Sequence, residues 1–109
     1  MNESYKILAQ NNPTSGSLTN LYTVPDSTST VVSSLIICNS SSSASTFSLS
    51  LAQGGAADTT KQYLYSSMPI AGNDTFIATI GVTLASGDVI RCNPGSSSLS
   101  FTVVGVEVS

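Results

Sequence analysis

Few groups in this chain of 109 residues are able to do acid–base or covalent chemistry. There is no histidine, and six carboxylates, three cations and two cysteines stand against 34 serines and threonines. A serine nucleophile needs a base to take its hydroxyl proton, most often a histidine. Neither Lys6 nor Lys61 lies in a Ser-x-x-Lys motif, and no Gly-x-Ser-x-Gly elbow occurs. A serine hydrolase is therefore not expected. Asp26, Asp58, Asp74 and Asp88 each fall beside turn-forming residues, where aspartate caps backbone amides. Two of them meeting at one end of a domain could act as acid and base, but their spacing singles out no pair. No Asp-x-Asp-x-Asp run or EF-hand loop offers calcium a ligand set, and Asn73-Asp74 reads as a turn. Neither a metal nor another cofactor is expected, and the protein is not expected to be an enzyme.

The remaining reactive or recognisable groups have plain readings. Cys38 and Cys92 end two apolar runs and are each followed by Asn. Two buried free thiols acting as small hydrophobes are expected, with a disulfide as the lesser alternative. Asn2-Glu3-Ser4, Asn39-Ser40-Ser41 and Asn73-Asp74-Thr75 match the glycosylation sequon, as chance allows in so hydroxyl-rich a chain. Tyr5, Tyr22, Tyr63 and Tyr65 are the candidates for a sugar-stacking platform, with Phe47, Phe76 and Phe101 assigned to the core. Tyr63 and Tyr65, two residues apart on one strand, are expected on one face as a possible contact stripe. The simpler account of that stripe is a core or inter-subunit face with hydroxyls at its rim.

Strands must carry all of these groups, since period-2 alternation is common and helical periodicity scarce. Tyr5 to Ala9 reads as a first strand and Leu18 to Val24 as a second, ended by Pro25-Asp26-Ser27. The run Val31 to Asn39 is apolar enough for a central strand covered on both faces. Thr46 to Gln53 alternates, with Phe47, Leu49 and Leu51 on one side and Ser48 and Ser50 on a wet one. Gly54 to Asp58 is expected to be a mobile loop. Strands follow at Gln62 to Ser66, Thr75 to Ile80, Val89 to Cys92 and Leu99 to Val108. In the last, Leu99, Phe101 and Val103 share one phase and Val104, Val106 and Val108 the other. That switch predicts a β-bulge, or a strand crossing between sheets, next to Gly105.

The expected fold is all-β: a single β-sandwich over residues 1–109 with about eight antiparallel strands, jelly-roll-like or immunoglobulin-like. The absence of Trp removes the Cys…Trp…Cys mark of a true immunoglobulin domain. Residues 1–4 are expected to be a flexible tail, or an arm that orders on a partner. A hydrophobic content of 40% argues against disorder. Three scattered cations with a net charge of −3 argue against binding nucleic acid or an anionic membrane surface. No run reaches the ~20 apolar residues needed to span a bilayer. The first residues lack the pattern of a signal peptide, so synthesis in a cytoplasm is expected. So little charge also leaves strand edges and faces poorly protected, which points to a homo-oligomer.

Tyr5-Lys6-Ile7-Leu8, Leu21-Tyr22-Thr23-Val24-Pro25 and Val31-Val32-Ser33-Ser34-Leu35 with Cys38-Asn39 also resemble segments of short virion proteins of tailed bacteriophages, including cyanophages. So do Ile80 to Ile90 and the closing Leu99-Ser100-Phe101, and the resemblance spans nearly the whole chain. Those proteins are small β-sandwiches with structural, decoration or fibre-associated roles. The resemblance implies a virion structural protein that decorates and stabilises the capsid. Its implied partners are the major capsid protein or another virion protein and copies of itself, with a trimer favoured. The alternative is a tail, neck or fibre-associated module that binds host surface glycans. No functional residue carries over from the resemblance.

Overall fold

Turn chemistry divides the chain into strands. Between the sixth and seventh, for example, Gly87 adopts φ +85°, the Asp88 amide donates to the Ala85 carbonyl at 3.0 Å, and the Ala85 amide donates to Asp88 Oδ2 at 2.9 Å. A computed structural model describes residues 3–109. It contains β1 (Glu3–Asn11), β2 (Thr19–Thr23), β3 (Ser29–Asn39), β4 (Ser45–Ala52), β5 (Tyr63–Ile70), β6 (Thr75–Leu84), β7 (Val89–Pro94) and β8 (Leu99–Val108). Two short 3-10 turns, Gln53–Gly55 and Thr60–Gln62, lie between β4 and β5. Of the four residues expected to form a tail, Met1 and Asn2 lie outside the described residues, whereas the backbone of Glu3 and Ser4 already pairs in β1. No helix among the described residues is long and apolar enough to cross a membrane.

The strands form two four-stranded antiparallel sheets in the orders β1-β8-β3-β6 and β2-β7-β4-β5. First pairs with eighth, second with seventh, third with sixth and fourth with fifth, as in one long hairpin rolled over on itself. This is the jelly-roll arrangement, and it decides between the two expected sandwich types. The core lies between the sheets. Val32, Leu35, Ile37, Leu99, Phe101 and Val103 enter it from the first sheet, and Phe47, Leu49, Ile90 and Cys92 from the second, all essentially inaccessible to solvent. Phe47 sits at its centre, with ring centroids 5.4 Å from Phe76, 6.1 Å from Tyr65 and 6.3 Å from Phe101.

Three expectations change in the structure. β3 is central in its sheet, but only its inner face is covered by the second sheet; Val31, Ile36 and Cys38 on its outer face remain half-buried. Ser50 of β4 does not face water. The 53–62 segment lies over that part of the sheet, and Ser50 is 1% exposed beneath it. That segment is tied down: Arg91 donates to the Ala56 and Gly55 carbonyls at 2.7 and 3.1 Å, and the Gly54 amide donates to Asp88 Oδ1 at 2.8 Å.

The phase switch in β8 has a different cause from the one expected. β8 runs without an inserted residue and keeps its odd-numbered side chains inward throughout. The irregularities fall on its neighbours: β1 slips between Ile7 and Ala9, and β3 between Val32 and Ser34. Ser33, the extra residue of β3, donates from Oγ to the Val104 carbonyl at 3.1 Å, replacing a lost ladder bond. The two slips close in on Gly105. A Cβ there would overlap the Val31 carbonyl oxygen and come within 3.0 Å of the Val32 Cα and 3.2 Å of a Leu8 methyl. Val104, Val106 and Val108 consequently point outward, Val104 and Val108 half-buried and Val106 buried at the floor of the sheet's outer face. Gly105→Ala is expected to destabilise the fold by about 3 kcal/mol or more, because backbone atoms must move to make room. Chemical denaturation followed by circular dichroism measures this, and an unchanged midpoint would contradict the close approach.

Candidate contact face

The outer face of the sheet β1-β8-β3-β6 is the largest departure from what a soluble antiparallel sheet displays, namely polar residues on its uncovered side. Register sets the rows: Tyr5 lies opposite Val106, which lies opposite Val31; Ile7 lies opposite Val104; Ile36 lies opposite Ile77. Tyr5, Ile7 and Ile77 are 81%, 55% and 61% exposed. Between Tyr5 and Val31, above Val104, Val106 and Val108, runs an open groove of about 440 Å³. Ser33 and Lys6 stand at its rim. Serines and threonines such as Ser29, Thr79 and Thr83 surround the apolar rows. An apolar centre with a polar margin is the anatomy of a protein–protein contact.

Beneath the rim lies a polar network joining the two sheets. Lys6 Nζ pairs with Glu107 Oε1 at 2.9 Å. The Tyr22 hydroxyl contacts Glu107 Oε2 at 2.6 Å and Thr30 Oγ1 at 2.8 Å. Thr30 is fully buried and Tyr22 nearly so. Four strands, β1, β2, β3 and β8, thus meet through the Glu107 carboxylate and the Tyr22 hydroxyl. Hydrogen bonds from Tyr22, and next from Lys6, hold Glu107 below its usual pKa. Burial, and then the hydrogen bond to Glu107, pushes Tyr22 up to about 12. Tyr22 is therefore a core residue with its hydroxyl engaged, and offers no sugar-stacking surface.

Tyr63 and Tyr65 do not share a face. Tyr65 is opposite Leu49 and Tyr63 opposite Ser50, adjacent residues of β4 that face opposite sides, with a register shift between them. Tyr65 packs edge-on to Phe47 and to Phe76, 5.3 Å from the latter, at the margin of the core. The Tyr63 hydroxyl instead donates to Asp58 Oδ2 at 3.2 Å, on the other side of the sheet. The expected stripe rested on strict alternation, which the inserted Leu64 interrupts.

The aspartates are dispersed. Asp88 accepts the Gly54 and Ala85 amides, Asp74 accepts the Thr75 amide, and Asp58 accepts Tyr63. Among the described residues, no three His, Cys, Asp or Glu side chains converge as a metal-binding group. Asn39, a sequon residue, is fully buried at one end of the sandwich. Its Nδ2 donates to the Ser43 and Ala71 carbonyls, and its Oδ1 accepts the Ser41 amide and the Ser98 hydroxyl. It joins three loops and presents nothing to a glycosyl donor. Asn2, another sequon residue, lies outside the described residues.

Cys38 and Cys92 are both free. Cys92 is buried in the core as expected, and burial pushes its thiol up to about 12. Cys38 departs from expectation, being half-buried on the outer face of β3, directed away from the core. Comparison of the sequence with protein-family models and with curated proteins finds no match to either.

Two measurements follow from this geometry. Because the folded-state pKa of Glu107 is depressed, its contribution is present above the unfolded value of about 4.3 and lost as pH falls through the folded value. Glu107→Gln is expected to unfold at lower denaturant than the native protein at neutral pH, with the gap closing in acid. A gap independent of pH would contradict the network. Tyr22→Phe, which leaves Thr30 buried without that partner, is expected to cost roughly 1–3 kcal/mol. At protein concentrations low enough to keep the chain monomeric, a thiol reagent is expected to label native Cys38 faster than Cys92, which reacts only on unfolding. Equal rates at the two sites would show that Cys92 is not sealed in the core.

Proposed function

We propose that the protein is a structural component of a tailed-bacteriophage virion, decorating and stabilising the capsid through subunit contacts. The observation that carries this reading is the uncovered apolar face, poor in charge among the described side chains, on a jelly-roll. A face of this kind serves association, not turnover. The jelly-roll is also used by viral capsid proteins, although this is support by analogy, because one fold hosts many functions. The resemblance of the strand segments to short phage virion proteins points the same way. The hydroxyl-rich remainder of the surface suits a lattice position. Ser and Thr give neutral hydrogen bonds to a capsid protein or another virion protein with little charge to desolvate. Many copies on a repeating shell then compensate for a small contact each.

The glycan-binding alternative needed Tyr63 and Tyr65 side by side, and they stand on opposite sides of their sheet. Quantitative mass spectrometry of purified particles of the phage encoding this chain tests the proposal. Copy numbers comparable to a capsid protein are expected. Trace amounts or none would overturn it.

A further inference from the structure

We propose that the outer face of the β1-β8-β3-β6 sheet is the surface on which a second copy of this chain docks, face to face, about a twofold axis. This deepens the reading of that face as a contact surface, but does not depend on the protein being part of a virion. The first argument is area. Four strands at a spacing of ~4.8 Å, with about ten residues at ~3.3 Å each, make a face of roughly 600 Å². Two copies together would bury on the order of 1,200 Å², the lower end of what a specific, stable interface needs. The strand lengths of 9, 11, 10 and 10 residues for β1, β3, β6 and β8 supply that span.

The second argument is charge. The chain carries a net charge of −3, so contact between copies is unfavourable wherever the acidic groups meet. Among the described side chains they do not meet here; Glu3, whose backbone pairs in β1 opposite Val108, stands at the end of this sheet. Asp26, Asp58, Asp74 and Asp88 lie outside the strands of this sheet, and Glu107 is turned toward Tyr22 beneath it. Among the described side chains, the charge at the rim is Lys6, already neutralised by Glu107 at 2.9 Å. A partner selected by charge would find nothing complementary, whereas an identical apolar face is complementary to this one. The third argument is shape. Two sheets with the same twist stack face to face with their strands within about 30° of each other and side chains interlocking. Such a pair would repeat, between two molecules, the packing each already has between its own sheets. Tyr5 of one copy would enter the groove between Tyr5 and Val31 of the other, over Val106, by the twofold relation that makes each contact occur twice.

Light scattering behind size exclusion, run from low micromolar to millimolar protein, tests the pairing. The native chain is expected to approach the mass of two protomers. Ile7→Asp and Ile77→Asp place a carboxylate at opposite edges of the face, at positions already open to solvent. Each is expected to weaken the dimer by about tenfold or more, since an unpaired charge would be buried on association. Leu18→Asp, at a residue that is 43% exposed and precedes β2 of the other sheet, is expected to leave the mass unchanged. Circular dichroism establishes that each variant is folded. A monomer across the whole range, a mass of three protomers, or a dimer indifferent to both face variants would overturn the proposal. None of these results would touch the copy number in purified particles, so the pairing and the virion reading fail independently.

Discussion

The close approach of three strands at Gly105 is the constraint on which the first sheet depends. β8 lies between β1 and β3 from Phe101 to Val108, and both neighbours slip register beside Val104. The slips bring the Val31 carbonyl and the Leu8 side chain to where any other residue at 105 would carry its Cβ. A missing side chain thus permits the register of the sheet, and the register decides which residues of β8 point outward. The apolar face follows from that: with Leu99, Phe101 and Val103 committed to the core, the valines in the alternate phase turn to the outer side, where Val104 and Val108 are half-buried and Val106 is covered by its neighbours.

The two sides of that sheet illustrate a division of labour. Its inner side meets the second sheet through fully buried aliphatic and aromatic groups, which supply most of the free energy of folding. The network of Lys6, Glu107, Tyr22 and Thr30 contributes differently. Glu107 is held by Lys6 and by Tyr22, and the Tyr22 hydroxyl also meets Thr30, so the network forms where all four strands arrive together and ties the two sheets to each other. The second sheet is covered instead from within the chain, by the 53–62 segment held by Arg91 and Asp88. One sheet is therefore covered in part by the chain itself, and the other keeps its outer side open.

Much of the fold was legible in the residue pattern. The last strand matches its expected bounds, and the others differ by a few residues, because turn residues such as Pro25-Asp26 and Ser86-Gly87-Asp88 mark chain reversals by local chemistry. Alternation at Phe47, Leu49 and Leu51 assigned the inner face of β4 correctly, since the period of a strand is a property of its own backbone. The same logic failed for Tyr63 and Tyr65. A single inserted residue reverses a face, and whether one is inserted depends on the partner strand. The polar network had no signal at all: Tyr22 and Glu107 are separated by 85 positions, and nothing near either names the other.

The sequence by itself determined the class of fold, the number of strands, the turn positions and most of the core, because these depend on local backbone preference and on which residues avoid water. Only the tertiary structure decided the jelly-roll order, the placing of the register slips on β1 and β3, and the outward direction of Val104, Val106 and Val108. Those features depend on pairings between distant segments, and such pairings are selected by the packing of the whole domain.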